Sequence, residues 1–180
     1  MAQTQIPFEG LAFGGKRVAS ADGKNAPTYN PADGAVIAQV AQATAADVDQ
    51  AVKTAHARFS EGAWKNMRTR ERGQVLQRIA NLIREKQEYL AQIESRNGGK
   101  PISAARGEIG SVANTSEYYA GAVNKIHGQT IPVNGNGTSM TFREPFGVCA
   151  LIVPWNFPLM FTSWKMGPAL SAGNAMILKP

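Results

Sequence analysis

The stretch that most limits what this chain can become runs from Phe146 to Pro180. Gly147 to Val153 is a continuous apolar run without alternation, the pattern of a strand covered on both faces, as parallel strands are. It enters Pro154-Trp155-Asn156-Phe157-Pro158, continues as a helical segment from Leu159 to Ser171, turns at Gly173-Asn174, and resumes as a second apolar run from Ala175 to Leu178 ahead of Lys179. Antiparallel neighbours can be joined by a short turn, whereas parallel ones need a crossover of a dozen residues or more. Strand, helix and strand at this spacing therefore predict an α/β fold with a parallel pair. Ligands of such sheets bind beyond the carboxyl ends of the strands, which places Pro154 to Phe157 and Lys179 on one rim.

That rim carries the candidate chemistry. Asn156 offers a side-chain amide that can donate to a developing oxyanion, and such a donor in a dry site contributes about 3 kcal/mol to transition-state stabilisation. The same residue type also serves as a turn residue that satisfies its own backbone. Lys179 is a cation suited to a ribose hydroxyl or a phosphate. Other candidates are weaker. Gly135 to Met140 lacks the third glycine of a dinucleotide fingerprint and reads as a turn. Gly98-Gly99-Lys100-Pro101 lacks the upstream glycine of a phosphate loop and the hydroxyl residue after its lysine, and reads as a helix stop. His56 and His127 are too few and too far apart for a metal site, so no metal is expected. Cys149 sits mid-strand among Val148, Ala150 and Leu151 and reads as a packing residue, not a nucleophile.

Upstream, residues 1 to 43 read as extended segments and turns, with Val36 to Val40 a short strand. Thr44-Ala45-Ala46-Asp47 has the form of a capping box, and Val48, Ala51, Val52, Ala55 and Phe59 follow at helical spacing. Thr69 can cap a second helix bearing Val75, Leu76, Ile79, Leu82 and Ile83. A shorter helix carries Leu90 and Ile93 until Asn97-Gly98-Gly99 ends it. A fourth, about Ile102 to Ile126, aligns Ile102, Ala105, Ile109, Val112, Ser116, Tyr119 and Val123. Gly128 to Pro132 and Thr138 to Arg143 then read as a β-hairpin. A two-stranded hairpin is marginal alone, which predicts packing against another sheet or another subunit.

Composition narrows the function classes. Hydrophobic residues at 43% and charged residues at 18% over 180 residues allow at least one good core. The net charge of +6 raises nucleic-acid binding. Its densest cluster, Lys65, Arg68, Arg70 and Arg72, has no interleaved aromatics and is diluted by Glu61 and Glu71, so no nucleic-acid partner is expected. Met1 to Phe8 lack a signal-peptide apolar run, and no window reaches the roughly 20 apolar residues of a membrane span. A single cysteine fits a reducing compartment. A cytoplasmic location without membrane contact is the expectation.

Arg143 to Leu159, with its Pro-Phe-Gly-Val-Cys-Ala-Leu-Ile-Val-Pro-Trp-Asn-Phe-Pro core, then Trp164 to Leu170 and Ala172 to Pro180, closely resembles the NAD(P)-dependent aldehyde dehydrogenase superfamily. The resemblance extends upstream through Tyr118 to Gly121, Lys125 to Gly128, Leu90 to Glu94, Gly99-Lys100-Pro101, Asn30-Pro31 and Asp47-Val48. It implies the first part of a Rossmann-like nucleotide-binding domain. Residues 1–127 would form its extended and helical amino-terminal part, residues 128–145 an oligomerisation hairpin, and residues 146–180 the first β-α-β unit. It also implies NAD or NADP as cofactor, an aldehyde oxidised to a carboxylic acid through a thiohemiacetal and thioester, and a homo-oligomer, dimer or tetramer, in the complete protein. Asn156 matches the family's oxyanion-hole asparagine. Ile152, Val153, Pro154 and Trp155 match the strand end that lines the cofactor, and Lys179 the lysine of the adenosine ribose. Phe157, Met160, Phe161 and Trp164 fall where the family lines its substrate tunnel, although a packed helix face accounts for them equally, and Lys165 matches a lysine near the site. The family's nucleophilic cysteine, its glutamate base and its pyrophosphate-holding segment lie beyond the Lys-Pro pair in sequence. The expectation is therefore an amino-terminal fragment inactive alone, with a non-catalytic module that folds or oligomerises as the alternative.

Overall fold

The computed structural model describes residues 7–180, apart from the Lys65 side chain. The expectations for residues 1–6 lie outside the described residues. The chain begins with β1 (Phe8–Glu9), then β2 (Leu11–Phe13) and β3 (Lys16–Val18), which pair as an antiparallel hairpin. Next come β4 (Asn25–Tyr29) and β5 (Val36–Ala41), the latter flanked by β4 antiparallel and β1 parallel. Six helices and four strands follow in the order α1 (Ala45–Ser60), α2 (Ala63–Asn66), α3 (Thr69–Glu85), α4 (Gln87–Gly98), α5 (Ile102–Ala122), β6 (Thr130–Ile131), β7 (Ser139–Met140), β8 (Val148–Ile152), α6 (Pro158–Ser171) and β9 (Ala175–Lys179).

Local chemistry explains most of these boundaries. Thr44 caps α1 through its hydroxyl, which accepts from Asp47 N–H at 3.3 Å, while Asp47 Oδ2 accepts from Thr44 N–H at 2.8 Å. Asp47 also accepts from Ala21 N–H at 3.1 Å, tying the turn after β3 to the start of α1. The cap of α3 differs from the sequence expectation. Arg68 occupies the capping position and Thr69 is already helical, because Glu71 reaches back to accept from Arg68 N–H at 2.8 Å. Gly99, with φ of 73°, ends α4 in the left-handed conformation that glycine adopts without a Cβ penalty. The long helix α5 stops at Ala122, four residues before the predicted Ile126.

Helix α5 is the centre of the core. Its row Ala105, Ile109, Val112, Ala113 and Ser116 is buried, and α3, α4 and α6 all pack on it. Small residues let the helices close in: a Cβ at Gly73 of α3 would lie 2.8 Å from the Ala120 carbonyl oxygen, and one at Gly167 of α6 would lie 2.3 Å from the Tyr119 ring. Several apolar residues expected on buried faces are exposed, namely Val48 and Val52 of α1, Leu82 of α3 and Ile93 of α4. Helices α3, α4 and α6 bury chiefly the rows that meet α5, and α1 packs on the parallel pair.

Strands β8 and β9 are parallel, with Val148 opposite Ala175 and Ile152 opposite Lys179. The expectation that the first apolar run is covered on both faces is corrected. Leu151 and Val153 are buried while Ala150 and Ile152 are exposed. Both α1 and α6 pack on the pair, yet over the carboxyl-terminal half of β8 only the Leu151 and Val153 side is filled.

Gly73→Ala is expected to lower stability by about 1–3 kcal/mol, because a backbone carbonyl cannot yield as a side chain can. Gly107→Ala, on an open face of α5, should instead be neutral or stabilising by up to about 1 kcal/mol. Urea melts of the two variants check the contrast; equal destabilisation would refute the close-packing account. A second expectation concerns acid. Hydrogen bonds from Thr44 N–H and Ala21 N–H hold Asp47 below its ordinary value of 3.8. The bond from Arg106, with a further one from Gln92, lowers Glu88 from 4.5 to about 2. Both folded-state values lie below the unfolded ones, so this stabilisation is present above pH 4.5 and is lost as pH falls toward 2. Asp47→Asn with Glu88→Gln should flatten the stability profile across that window, as followed by melting temperature against pH.

Candidate functional site

The rim forms where the two parallel strands end. Ile152 and Lys179 are direct partners across the pair, and Val153 N–H donates to the Lys179 carbonyl at 3.1 Å. This pairing extends the ladder one step past β8 and carries the chain into Pro154-Trp155-Asn156-Phe157. The turn then becomes α6, with Pro158 at its first position, where a missing N–H costs nothing.

Buried Asn174 fixes the register of the pair. Its Oδ1 accepts from Gly147 N–H at 3.0 Å and its Nδ2 donates to the Ala169 carbonyl at 3.1 Å, while Ala175 N–H donates to the Gly147 carbonyl at 2.8 Å. Trp64 of α2 adds a brace, donating from Nε1 to the carbonyls of Gly173 and Asn174 at 3.1 Å. The start of β8 is thereby locked to the start of β9. Five residues later, the same register sets Ile152 beside Lys179.

Most predicted rim residues are where the sequence puts them. Ile152, Pro154, Trp155, Asn156 and Lys179 are exposed, Trp155 at 83% and Ile152 at 65%. Val153 differs: its side chain is buried and its N–H is spent on the ladder, so any ligand contact there falls to its carbonyl group. Among the described residues the Asn156 amide bonds no backbone group, unlike Asn30, which accepts from Ala32 N–H at 3.1 Å. Asn156 thus stands free at the rim.

Phe157, Phe161 and Trp164 form an edge-to-face series along one side of α6, with centroids 6.4 Å and 5.0 Å apart, and Met160 is half-buried beside them. Phe157 and Phe161 are half-buried, whereas Trp164 and Lys165 are exposed. Cys149 is half-buried as the second residue of β8, opposite Met176 and three positions before the end of the strand. It is remote from the turn.

The sequence marks one further residue only as part of a helix stop and of the family resemblance, with no role at the rim. The Lys100 ammonium, between α4 and α5, donates to Glu94 Oε1 at 3.1 Å, Glu108 Oε2 at 2.5 Å and the Asn156 carbonyl at 3.1 Å, and lies 4.6 Å from the centre of the Phe157 ring. Helical spacing carries a partial signal for this cluster. Glu94 falls on the buried side of α4, four positions after half-buried Leu90 and three after buried Ala91, and a carboxylate there demands a cation.

Among the described residues no group of histidine, cysteine, aspartate and glutamate could hold a metal ion, and no helix is long and apolar enough to cross a membrane. The rim does fit a dinucleotide in part. Among the described residues Lys179 has no carboxylate partner, and the exposed Ile152 and Trp155 beside it provide apolar surface.

The aldehyde dehydrogenase family model matches residues 18–180. Aldehyde dehydrogenase family 2 member B4, mitochondrial, of Arabidopsis thaliana is 46% identical over 176 residues, which is 97% of this chain and 33% of that protein. Human retinal dehydrogenase 2 is 45% identical over 163 residues, covering 89% of this chain and 32% of its own length. An aldehyde dehydrogenase from Bacillus cereus solved as its NAD+ complex superposes with a TM-score of 0.93 at 43% identity, over 96% of this chain and 35% of that one. The chain spans about a third of the length of the relatives it matches. With the family model covering nearly all of it and the parallel pair, turn and helix in the same arrangement, the chain belongs to the aldehyde dehydrogenase family.

Proposed function

We propose that the polypeptide carrying this segment oxidises an aldehyde to a carboxylic acid with NAD+ or NADP+, and that the rim described above holds the dinucleotide and polarises the aldehyde oxygen. The observation that carries the proposal is the pairing of Ile152 with Lys179 beneath a turn that leaves Asn156 free. A dinucleotide held there would supply the hydride acceptor.

The chain's own residues do the rest of what can be assigned. Lys179 would donate to the ribose hydroxyls of a bound dinucleotide. Ile152, Pro154 and Trp155 would cover its apolar surface, and Val153 would contribute its carbonyl. The Asn156 amide donates to the aldehyde oxygen as negative charge grows on it, an interaction stronger in the transition state than in the ground state. Phe157, Phe161 and Trp164, with Met160, line the approach of the aldehyde along α6. Covalent attack on the carbonyl needs a thiolate, and Cys149, held mid-strand, does not reach the turn. The nucleophile is therefore contributed from outside these 180 residues.

We further propose that hairpin β6–β7 is a subunit contact, because Ile131, Val133, Met140 and Phe142 are exposed on and around two short strands that cannot stand alone. Light scattering of the complete polypeptide should give a mass of at least two chains, and Phe142→Asp with Met140→Asp should shift it toward one. A monomeric wild type refutes the contact.

Catalysis is tested with the complete polypeptide, by following formation of the reduced nicotinamide with aliphatic and aromatic aldehydes. Asn156→Ala should lower kcat by roughly 10²–10³. Lys179→Ala should raise the KM for the dinucleotide roughly tenfold while kcat changes little. Residues 1–180 alone should give no turnover. Turnover by that isolated chain, or none by the complete polypeptide with any aldehyde of the panel, would overturn the proposal.

A further inference from the structure

The Lys100 ammonium has three N–H donors, and all three are engaged: by Glu94, by Glu108 and by the backbone carbonyl of Asn156. The face of the Phe157 ring lies 4.6 Å away, within range of a cation–π attraction. No donor remains for a ligand, so Lys100 is unsuited to bind phosphate or ribose despite its place near the rim. Its surroundings are equally closed. The side chains of Lys100, Glu94 and Glu108 are 12%, 4% and 15% exposed. In such a site an ion pair is held by geometry and is screened little by salt.

The backbone that carries Lys100 is also fixed. Gly99 ends α4 in the left-handed conformation, Ser95 Oγ donates to the Lys100 carbonyl at 2.7 Å, and Pro101 leads directly into α5. Glu94 belongs to α4 and Glu108 to α5, so the ammonium is centred by both helices. Its remaining bond crosses to the one residue of the turn whose side chain faces the proposed chemistry. A carbonyl bond at Asn156 restrains the peptide that follows the amide-bearing carbon, and the ring contact at Phe157 restrains the next residue. Together they limit rotation of the turn about the strand end.

We infer that Lys100 is a positioning residue for Asn156: the α4–α5 corner, through the Glu94–Lys100–Glu108 cluster, holds the turn so that the asparagine amide is aimed before substrate arrives. The inference rests on the dehydrogenase reading for its catalytic consequence and on geometry alone for the restraint of the turn. A displaced donor loses much of its effect, since misplacement by about 1 Å costs roughly 10²-fold in rate.

Lys100→Met alone would strand two buried carboxylates, so the informative variant is Lys100→Met with Glu94→Gln and Glu108→Gln, made in the complete polypeptide. Its control is Glu94→Gln with Glu108→Gln, which keeps the ammonium on the turn. Both are compared by steady-state kinetics and by fluorine NMR after 5-fluorotryptophan incorporation, which gives separate lines for Trp64, Trp155 and Trp164. The triple variant should lose roughly 10²-fold in kcat with both KM values within about threefold, and the control, which keeps the ammonium's bond to the Asn156 carbonyl without its centring carboxylates, should lose less than about tenfold. The Trp155 line should shift or broaden more in the triple variant than in the control, while the Trp64 line holds. An unmoved Trp155 line, unchanged kcat in the triple variant, or collapse of all three lines overturns the inference, the last by making Lys100 a residue of stability alone. A wild type without aldehyde turnover defeats the dehydrogenase proposal by itself, and a Trp155 line that still moves then supports the restraint of the turn.

Discussion

The rest of the molecule depends on how closely other helices can approach α5. Its buried row combines alanine and serine with Ile109 and Val112, and α3, α4 and α6 all pack on it. Gly73 and Gly167 remove the side chains that would hold α3 and α6 away. Close approach adds dispersion attraction across several surfaces. Helix α6 is therefore placed by α5 and not by the sheet alone. Since the turn that bears Asn156 ends in α6, the helical core reaches the proposed site through packing.

A two-stranded parallel sheet is a weak element by itself, and here its edges are supported by polar groups. Asn174 is buried without cost because both ends of its amide are satisfied, by Gly147 N–H and by the Ala169 carbonyl. The Trp64 indole then binds the backbone on the far side of the same turn. These bonds tie the crossover helix, the turn and both strands into one unit. They lie at the amino-terminal ends of the strands, and their effect at the carboxyl ends is geometric: a fixed register propagates along a ladder.

Elements whose signals are local were legible in the residues. The capping box at Thr44, the glycine stop at Gly99, the hairpin around Gly135 and the strand-helix-strand run after Gly147 each declare themselves within a few positions, and each is present. Burial was less legible, because periodicity marks a face but not what covers it. Val48, Leu82 and Ile93 obey the helical period and are still exposed, and Ile152 interrupts a run that reads as buried throughout. The Arg68 cap escaped for a related reason: Thr69 is the better capping residue by type, and Glu71 decides the matter by reaching Arg68 N–H. At the candidate site the exposed polar rim was evident from strand order. The Lys100 cluster was not, since its members are separated by 6, 8 and 56 positions and only the folded chain brings them together.

The arrangement at the rim assigns different demands to different kinds of structure. A cofactor contact such as that proposed for Lys179 tolerates small displacements, because a long side chain can follow its partner, and a strand end suffices to present it. An amide that must meet a charge only as it develops has no such latitude. Asn156 sits on a turn, which alone would be the least rigid place in the fold. Its carbonyl is bound by an ammonium that two buried carboxylates hold from two helices. Register matters in the same way. A slip of one residue in β9 would turn Lys179 to the opposite face of the pair, and the Asn174 bonds oppose that slip at the amino-terminal end of the strands, where Gly147 and Asn174 are buried. Precision at the exposed end of the sheet is thus supplied from buried polar groups elsewhere, at Asn174 for the strands and at Lys100 for the turn.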